Sequence, residues 1–183
     1  MSEPSAFDLP LSHPPWQIKV RSVGHSGGAG RIEAAPADRE ALARALDILA
    51  CDRLVVDYRM SPSGRDRFRV SGHIDADIVQ ACVATLEPVP ERIDEDFDVA
   101  FWPAEDLGQE LPEGEIHLDE ERPEPIMHGE IALGHLIYEL IAVAMDPFPR
   151  SPAAPASDAE PSDASAAKPD SPFAALAKLK QPR

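Results

Sequence analysis

The sequence predicts an α+β fold: an antiparallel β-sheet of about six strands with two main helices. Several segments alternate apolar and polar residues at period two, and two others carry apolar residues at helical spacing. Their order reads β–β–α–β–β–β–β–α, with none of the β–α–β alternation of a doubly wound sheet. A lead at residues 1–15, with four Pro, is expected to be irregular and disordered.

Trp16, Ile18 and Val20 alternate with Gln17, Lys19 and Arg21, predicting a strand with one apolar face. The Gly-rich stretch Gly24–Gly30 reads as a hairpin loop returning through Arg31–Ala34. It lacks the Gly-Lys-Ser/Thr ending of a phosphate loop. Pro36 opens a helix to about Ala50, with Asp38 and Glu40 in its first turn and Leu42, Leu46 and Leu49 as its stripe. Leu54, Val56, Tyr58 and Met60 share a strand face, and Ser61-Pro-Ser-Gly64 reads as a turn. The chain returns through Phe68, Val70, Gly72, Ile74 and Ala76 as a long antiparallel hairpin. The doublet Ile78-Val79 predicts a bulge or bend before a strand at Cys82–Val89. Phe97, Val99 and Phe101 form another strand, and Ile116 with Leu118 a short one. Glu130–Met145 is apolar over more than half its circumference and predicts a buried helix, stopped by Asp146-Pro-Phe-Pro149.

Ser151–Pro172 consists of five Pro, seven Ala, five Ser, four acids and one Lys. Such a segment has too little apolar area to offset the entropy of ordering, so 151–172 is expected to be a disordered linker. It leads to a short motif at 173–183, where Phe173, Leu176, Ala177 and Leu179 could share a helix face. One domain at residues 16–150 remains.

Net charge is −16 and concentrated. Residues 87–130 hold 16 acids against Arg92 and Arg122, a net of −14. A field of that sign repels phosphate backbones and attracts basic proteins. Asp94, Glu95, Asp96 and Asp98 are its densest run, a candidate partner-binding face; their spacing does not match a calcium loop. Arg65, Arg67 and Arg69 gather at the tip of the central hairpin with Arg59, Tyr58 and Phe68, and could contact RNA. The bland reading pairs those cations with Asp57 and Asp66.

Cys51 and Cys82 stand too far apart for a thiolate zinc pair, and no His-Glu-x-x-His pattern occurs. No serine elbow or Cys–His signature suggests catalysis. We therefore expect no catalytic residues, no metal and no cofactor. The N-terminus is not a secretory signal, and Leu136–Met145 is too short to span a bilayer. A cytoplasmic protein with no membrane partner is expected.

The stretch Gln80-Ala-Cys82-Val-Ala-Thr85-Leu86-Glu87-Pro88-Val89 resembles the central signature of the YceD family, especially its alphaproteobacterial branch. The acidic strand Ile93–Phe97, the preceding Val70–Ala76, the helix segment Gly129–Gly134 with Glu139, and the closing Asp146–Arg150 and Pro172–Lys180 follow in matching order. Many family members carry a second Cys near the first; here Cys82 is alone, so it is expected to be a packed strand residue. The resemblance implies a bacterial role in accumulating large-subunit ribosomal RNA. Taken with the charge, it suggests a basic ribosomal protein or pre-ribosomal particle as partner. The alternative is direct ribosomal-RNA binding through Arg65, Arg67 and Arg69.

Overall fold

The computed structural model describes residues 10–23, 26–107 and 123–154. The chain divides into two units, Met1–Pro152 and Ala153–Arg183, and every described strand and helix lies in the first. In order these are β1 (Gln17–Lys19), α1 (Val20–Val23), β2 (Gly28–Glu33), α2 (Pro36–Ala45), β3 (Ala50–Gly64) and β4 (Arg67–Ala81). Then come β5 (Pro88–Pro103), α3 (Ala104–Leu107), β6 (Glu124–Ile126), β7 (Glu130–Ala132) and α4 (Leu133–Ala144).

The fold is α+β, but the strands do not make one antiparallel sheet of six. Five form a mixed sheet in the order β2-β3-β4-β5-β6, with β6 parallel to β5, and β1 pairs with β7 in a separate two-stranded sheet. The central hairpin is as expected: β3 and β4, each of 15 residues, pair antiparallel from Ala50–Val79 to Gly64–Arg67. β4 lies between β3 and β5 along nearly its whole length.

The expected hairpin between the first two strands is not formed. The chain turns helical at Val20, whose N–H bonds to the Gly129 carbonyl, and β1 is thereby aligned on β7, setting Ile18 against Ile131. β2 is free to pair with β3. Helix α2 stops at Ala45, because Asp47 adopts a left-handed φ of 54° and Leu49 donates its N–H to Val79. Ala50 consequently starts β3, and Leu49 is exposed. Ser61–Gly64 stays in strand; the turn is Arg65-Asp66, with Asp66 taking the left-handed φ of 57°. Ile78-Val79 carries no bulge; the irregularities fall in β3, near Asp52 and Ser63. Residues 130–132 pair as β7, so the last helix starts at Leu133. Ile116, Leu118, the bulk of the 151–172 linker and the 173–183 motif lie outside the described residues.

The period-two pattern sends Leu54, Val56, Met60, Val70, Ile74, Ile78, Ile93, Phe97 and Phe101 into one core. Leu42 and Ala43 of α2, and Leu136, Ile137 and Ile141 of α4, complete it. The N-terminal segment is part of that core. Trp16 is fully buried, and its indole N–H donates to Asp38 Oδ2 at 3.0 Å. Asp38, at the third position of α2, also accepts from the Ala35 N–H and pairs with His13 Nε2 at 2.7 Å. Burial pushes the Asp38 carboxyl up, but the donors from Trp16, His13 and Ala35 outweigh it and hold the group below its ordinary value. Gly134 lets α4 approach: an added Cβ would run into the Leu11 carbonyl oxygen and lie 2.9 Å from Trp16 Cβ.

Candidate functional site

Two motifs of the family-like pattern, the central signature Gln80–Val89 and the closing Asp146–Arg150, meet in space. β4 ends at Ala81 and β5 begins at Pro88, so Cys82–Glu87 is a tight turn and not the strand expected there. Cys82 N–H donates to the Glu87 carbonyl at 2.8 Å and Leu86 N–H to the Cys82 carbonyl at 2.9 Å, with Leu86 at a φ of 61°. Onto this turn the closing segment Asp146–Ser151 is clamped. Val83 N–H donates to the Pro149 carbonyl at 2.9 Å, and Ser151 N–H to Cys82 Sγ at 3.3 Å. Glu87 Oε2 accepts from the hydroxyls of Thr85 and Ser151 at 3.1 and 3.0 Å. One turn further in, Gln80 Nε2 donates to Glu91 Oε2 and the Asp146 carbonyl, while Asp146 N–H donates to Glu91 Oε1. Gln80, Cys82, Thr85 and Glu87 thus act together as a latch for the chain's exit from α4. Leu86 is exposed, Pro88 opens β5, and Val89 pairs with Gln80.

The Cys82 sulfur is a buried acceptor. The Ser151 N–H, then the Thr85 side chain, lower its ionisation point against the opposing effect of burial, from 9.0 to about 6. With no exposed surface, this sulfur is placed to receive the N–H groups of Ala84 and Ser151. Cys51 differs: burial pushes its thiol up to about 11. A depressed thiol stabilises the fold fully above its ordinary 9.0, and loses that contribution as pH falls through about 6. The difference in urea midpoint between the wild type and Cys82→Ser is therefore expected to grow with pH from 6 to 9. A difference that stays flat over that window refutes the charged-sulfur assignment.

The acidic run and the arginine-rich hairpin lie next to each other and are paired. Alternation puts Asp94, Asp96 and Asp98 of β5 on the sheet face opposite the core, beside His73 and Arg69 of β4. Glu95 lies on the other side of its strand and is exposed. Arg69 Nε meets Asp98 Oδ1 at 2.6 Å. His73 bonds Asp96 at 2.9 Å and sits 3.5 Å from Asp94, and the Asp96 bond raises its pKa above the ordinary histidine value. Arg67 stacks over Trp102 at 4.0 Å and reaches Asp106 Oδ2 at 3.0 Å. Arg65 extends from the turn, reaching Asp66 only at 4.0 Å. On the same face Asp75 forms ion pairs with both Arg53 (2.6 Å) and Arg92 (3.3 Å), and Arg31 pairs with Asp57. Exposed pairs of this kind each contribute about 0–1 kcal/mol. Their larger effect is on the surface potential: two of the three hairpin arginines are already neutralised.

Among the described residues no group of three His, Cys, Asp or Glu side chains is placed to hold a metal ion, and no helix is long and apolar enough to cross a membrane. Residue-level reading missed Glu91, the acceptor at the centre of the latch, and the Asp38–Trp16–His13 lock. Glu91 had a faint signal as the carboxylate following Pro88-Val-Pro90 in the signature's wake. Asp38 looked like an ordinary first-turn acid, since its partners lie in or beside a lead that reads as irregular.

No curated protein and no solved structure matches the chain. A family model described as large ribosomal RNA subunit accumulation protein YceD matches residues 70–180. That span begins inside β4 and takes in the signature turn, the acidic strand β5, helix α4 and the clamped closing segment. With both halves of the latch inside the match, the chain belongs to the YceD family, whose name ties it to accumulation of large-subunit ribosomal RNA.

Proposed function

We propose that this chain is a non-catalytic cytoplasmic factor that supports ribosomal RNA accumulation by holding a basic large-subunit protein on its acidic surface. The observation that carries this reading is the use made of the hairpin cations. Arg67 is spent on Trp102 and Asp106 and Arg69 on Asp98, so little positive charge is left for phosphates. Carboxylates remain in excess along β5, which carries Glu91, Asp94, Glu95, Asp96 and Asp98 against Arg92 alone. Unassembled ribosomal proteins are basic and prone to aggregate, and a negative surface would steer them and keep them apart from RNA until assembly.

The test is a titration of the purified full chain with separately purified large-subunit ribosomal proteins and with bare large-subunit ribosomal RNA, at low and high salt. At least one basic protein is expected to bind, with affinity falling steeply as salt rises, and the RNA is expected not to bind. Tight, salt-sensitive RNA binding that disappears in an Arg65→Ala, Arg67→Ala, Arg69→Ala variant would establish the direct RNA-binding alternative instead.

A further inference from the structure

Strand β5 is long, and its described partners lie mostly along one side. Its register with β4 runs from Pro88 to Phe101, whereas β6 meets it only at Phe101–Pro103. Among the described residues, no strand pairs with the other edge between Pro88 and Ala100. The bond from Cys82 N–H to the Glu87 carbonyl fixes the phase of this ladder. In an antiparallel pair, residues that exchange bonds with the partner alternate with residues whose N–H and C=O point away. Counting on from Glu87, the odd-numbered residues Val89 to Val99 bond to β4. Pro88, Pro90, Arg92, Asp94, Asp96, Asp98 and Ala100 then point outward. The two prolines fit this phase, since neither has an N–H to give to β4.

The unpaired backbone groups and the Asp94, Asp96 and Asp98 carboxylates therefore belong to the same residues. All three side chains stand on the sheet face opposite the core, with Asp96 90% exposed and Asp94 59%. We infer that this edge receives an extended segment of a basic partner as an added strand, with cationic side chains at every second position against Asp94, Asp96 and Asp98. Strand addition supplies affinity through main-chain bonds and specificity through alternate side chains. Charge and proline are the usual means of guarding an exposed edge. Beyond Arg92, from Asp94 to Asp98, the guard is of one sign: that stretch repels its own copy and the acidic sequence at residues 108–122, but not a strand bearing Lys or Arg. The inference rests on the proposed reading that the partner is a basic protein, and adds how it is held.

Two measurements on the full chain test it. In the free protein, amide hydrogen exchange is expected to alternate, fast at Asp94, Asp96 and Asp98 and slow at Ile93, Glu95 and Phe97. Slow exchange at both sets means the edge is already covered and overturns the inference. The probe is a synthetic peptide of about nine residues alternating Arg and Val, compared with the same peptide N-methylated at every second amide. Binding is expected to protect the Asp94, Asp96 and Asp98 amides. It is expected to weaken roughly tenfold or more with the methylated peptide, and likewise with Asp94→Asn, Asp96→Asn. Equal, salt-sensitive binding of both peptides without new protection would sink strand addition yet leave the acidic-surface reading standing. No binding of either peptide, meaning an edge guarded only against aggregation, or self-association through β5, would also overturn it. Failure of the ribosomal-protein titration, by contrast, removes the reading beneath it.

Discussion

Replacing Trp16 with Ala is expected to lower the free energy of unfolding by about 3–5 kcal/mol. The indole is fully buried and packs where Gly134 admits α4, so truncation leaves a cavity the neighbouring sheet and helix cannot close. It also removes one of three donors to the Asp38 carboxylate, leaving that charge under-satisfied in a buried position. Against a typical domain stability of about 5–15 kcal/mol, such a loss brings the fold close to its threshold. Urea denaturation should show a lower midpoint with an unchanged slope, and Trp16→Phe should recover the packing but not the bond. A loss below about 1 kcal/mol for Trp16→Ala would show that the N-terminal segment around Trp16 is not part of the core. The same lock has a pH signature. His13 is raised above the ordinary histidine value of 6.5, first by the Pro14 carbonyl and then by Asp38. Its contribution is complete below 6.5 and is lost as pH rises through the folded value, opposite in slope to that of Cys82.

Gly72→Val is expected to cost about 3 kcal/mol or more. Gly72 sits mid-way along β4, opposite Tyr58 on one side and Phe97 on the other. A Cβ there would run into the Asp57 carbonyl oxygen and come within 2.7 Å of the Phe97 ring. A strand at an edge could shift to relieve that clash. β4 is bonded to neighbours on both sides, and the obstacle on β3 is backbone. Gly28→Ala in the edge strand β2 serves as control, because its Cβ would meet only Val23 Cγ1 at 3.5 Å, with an expected cost under about 1 kcal/mol. Thermal denaturation of both variants decides the matter; similar losses would mean that the central strand yields.

Where local pattern sufficed, the sequence was legible. The β3–β4 hairpin and the strand through Phe97, Val99 and Phe101 follow from period-two alternation, which decides which side of a strand is apolar. The pattern is silent on neighbours. Ile18 alternates equally well whether it pairs with β2 or with β7, and the choice fell to the bond from Val20 to Gly129. Composition likewise located an acidic stretch and an arginine-rich tip, but not that Arg69 and Asp98 face each other across two strands.

The α+β class, the long hairpin, the concentration of negative charge and the family are all legible in the order of residues alone, because propensity, alternation and motif order are local properties of a chain. Three features came from the folded chain instead: Cys82 lies in a turn clasping Ser151, Trp16 closes over α4, and β5 keeps an edge that, among the described residues, no strand pairs between Pro88 and Ala100. The first two join residues from distant parts of the chain, and the third depends on which strands reach β5. Which distant groups end up within hydrogen-bond reach is set by how the whole core packs, a quantity that no single segment contains.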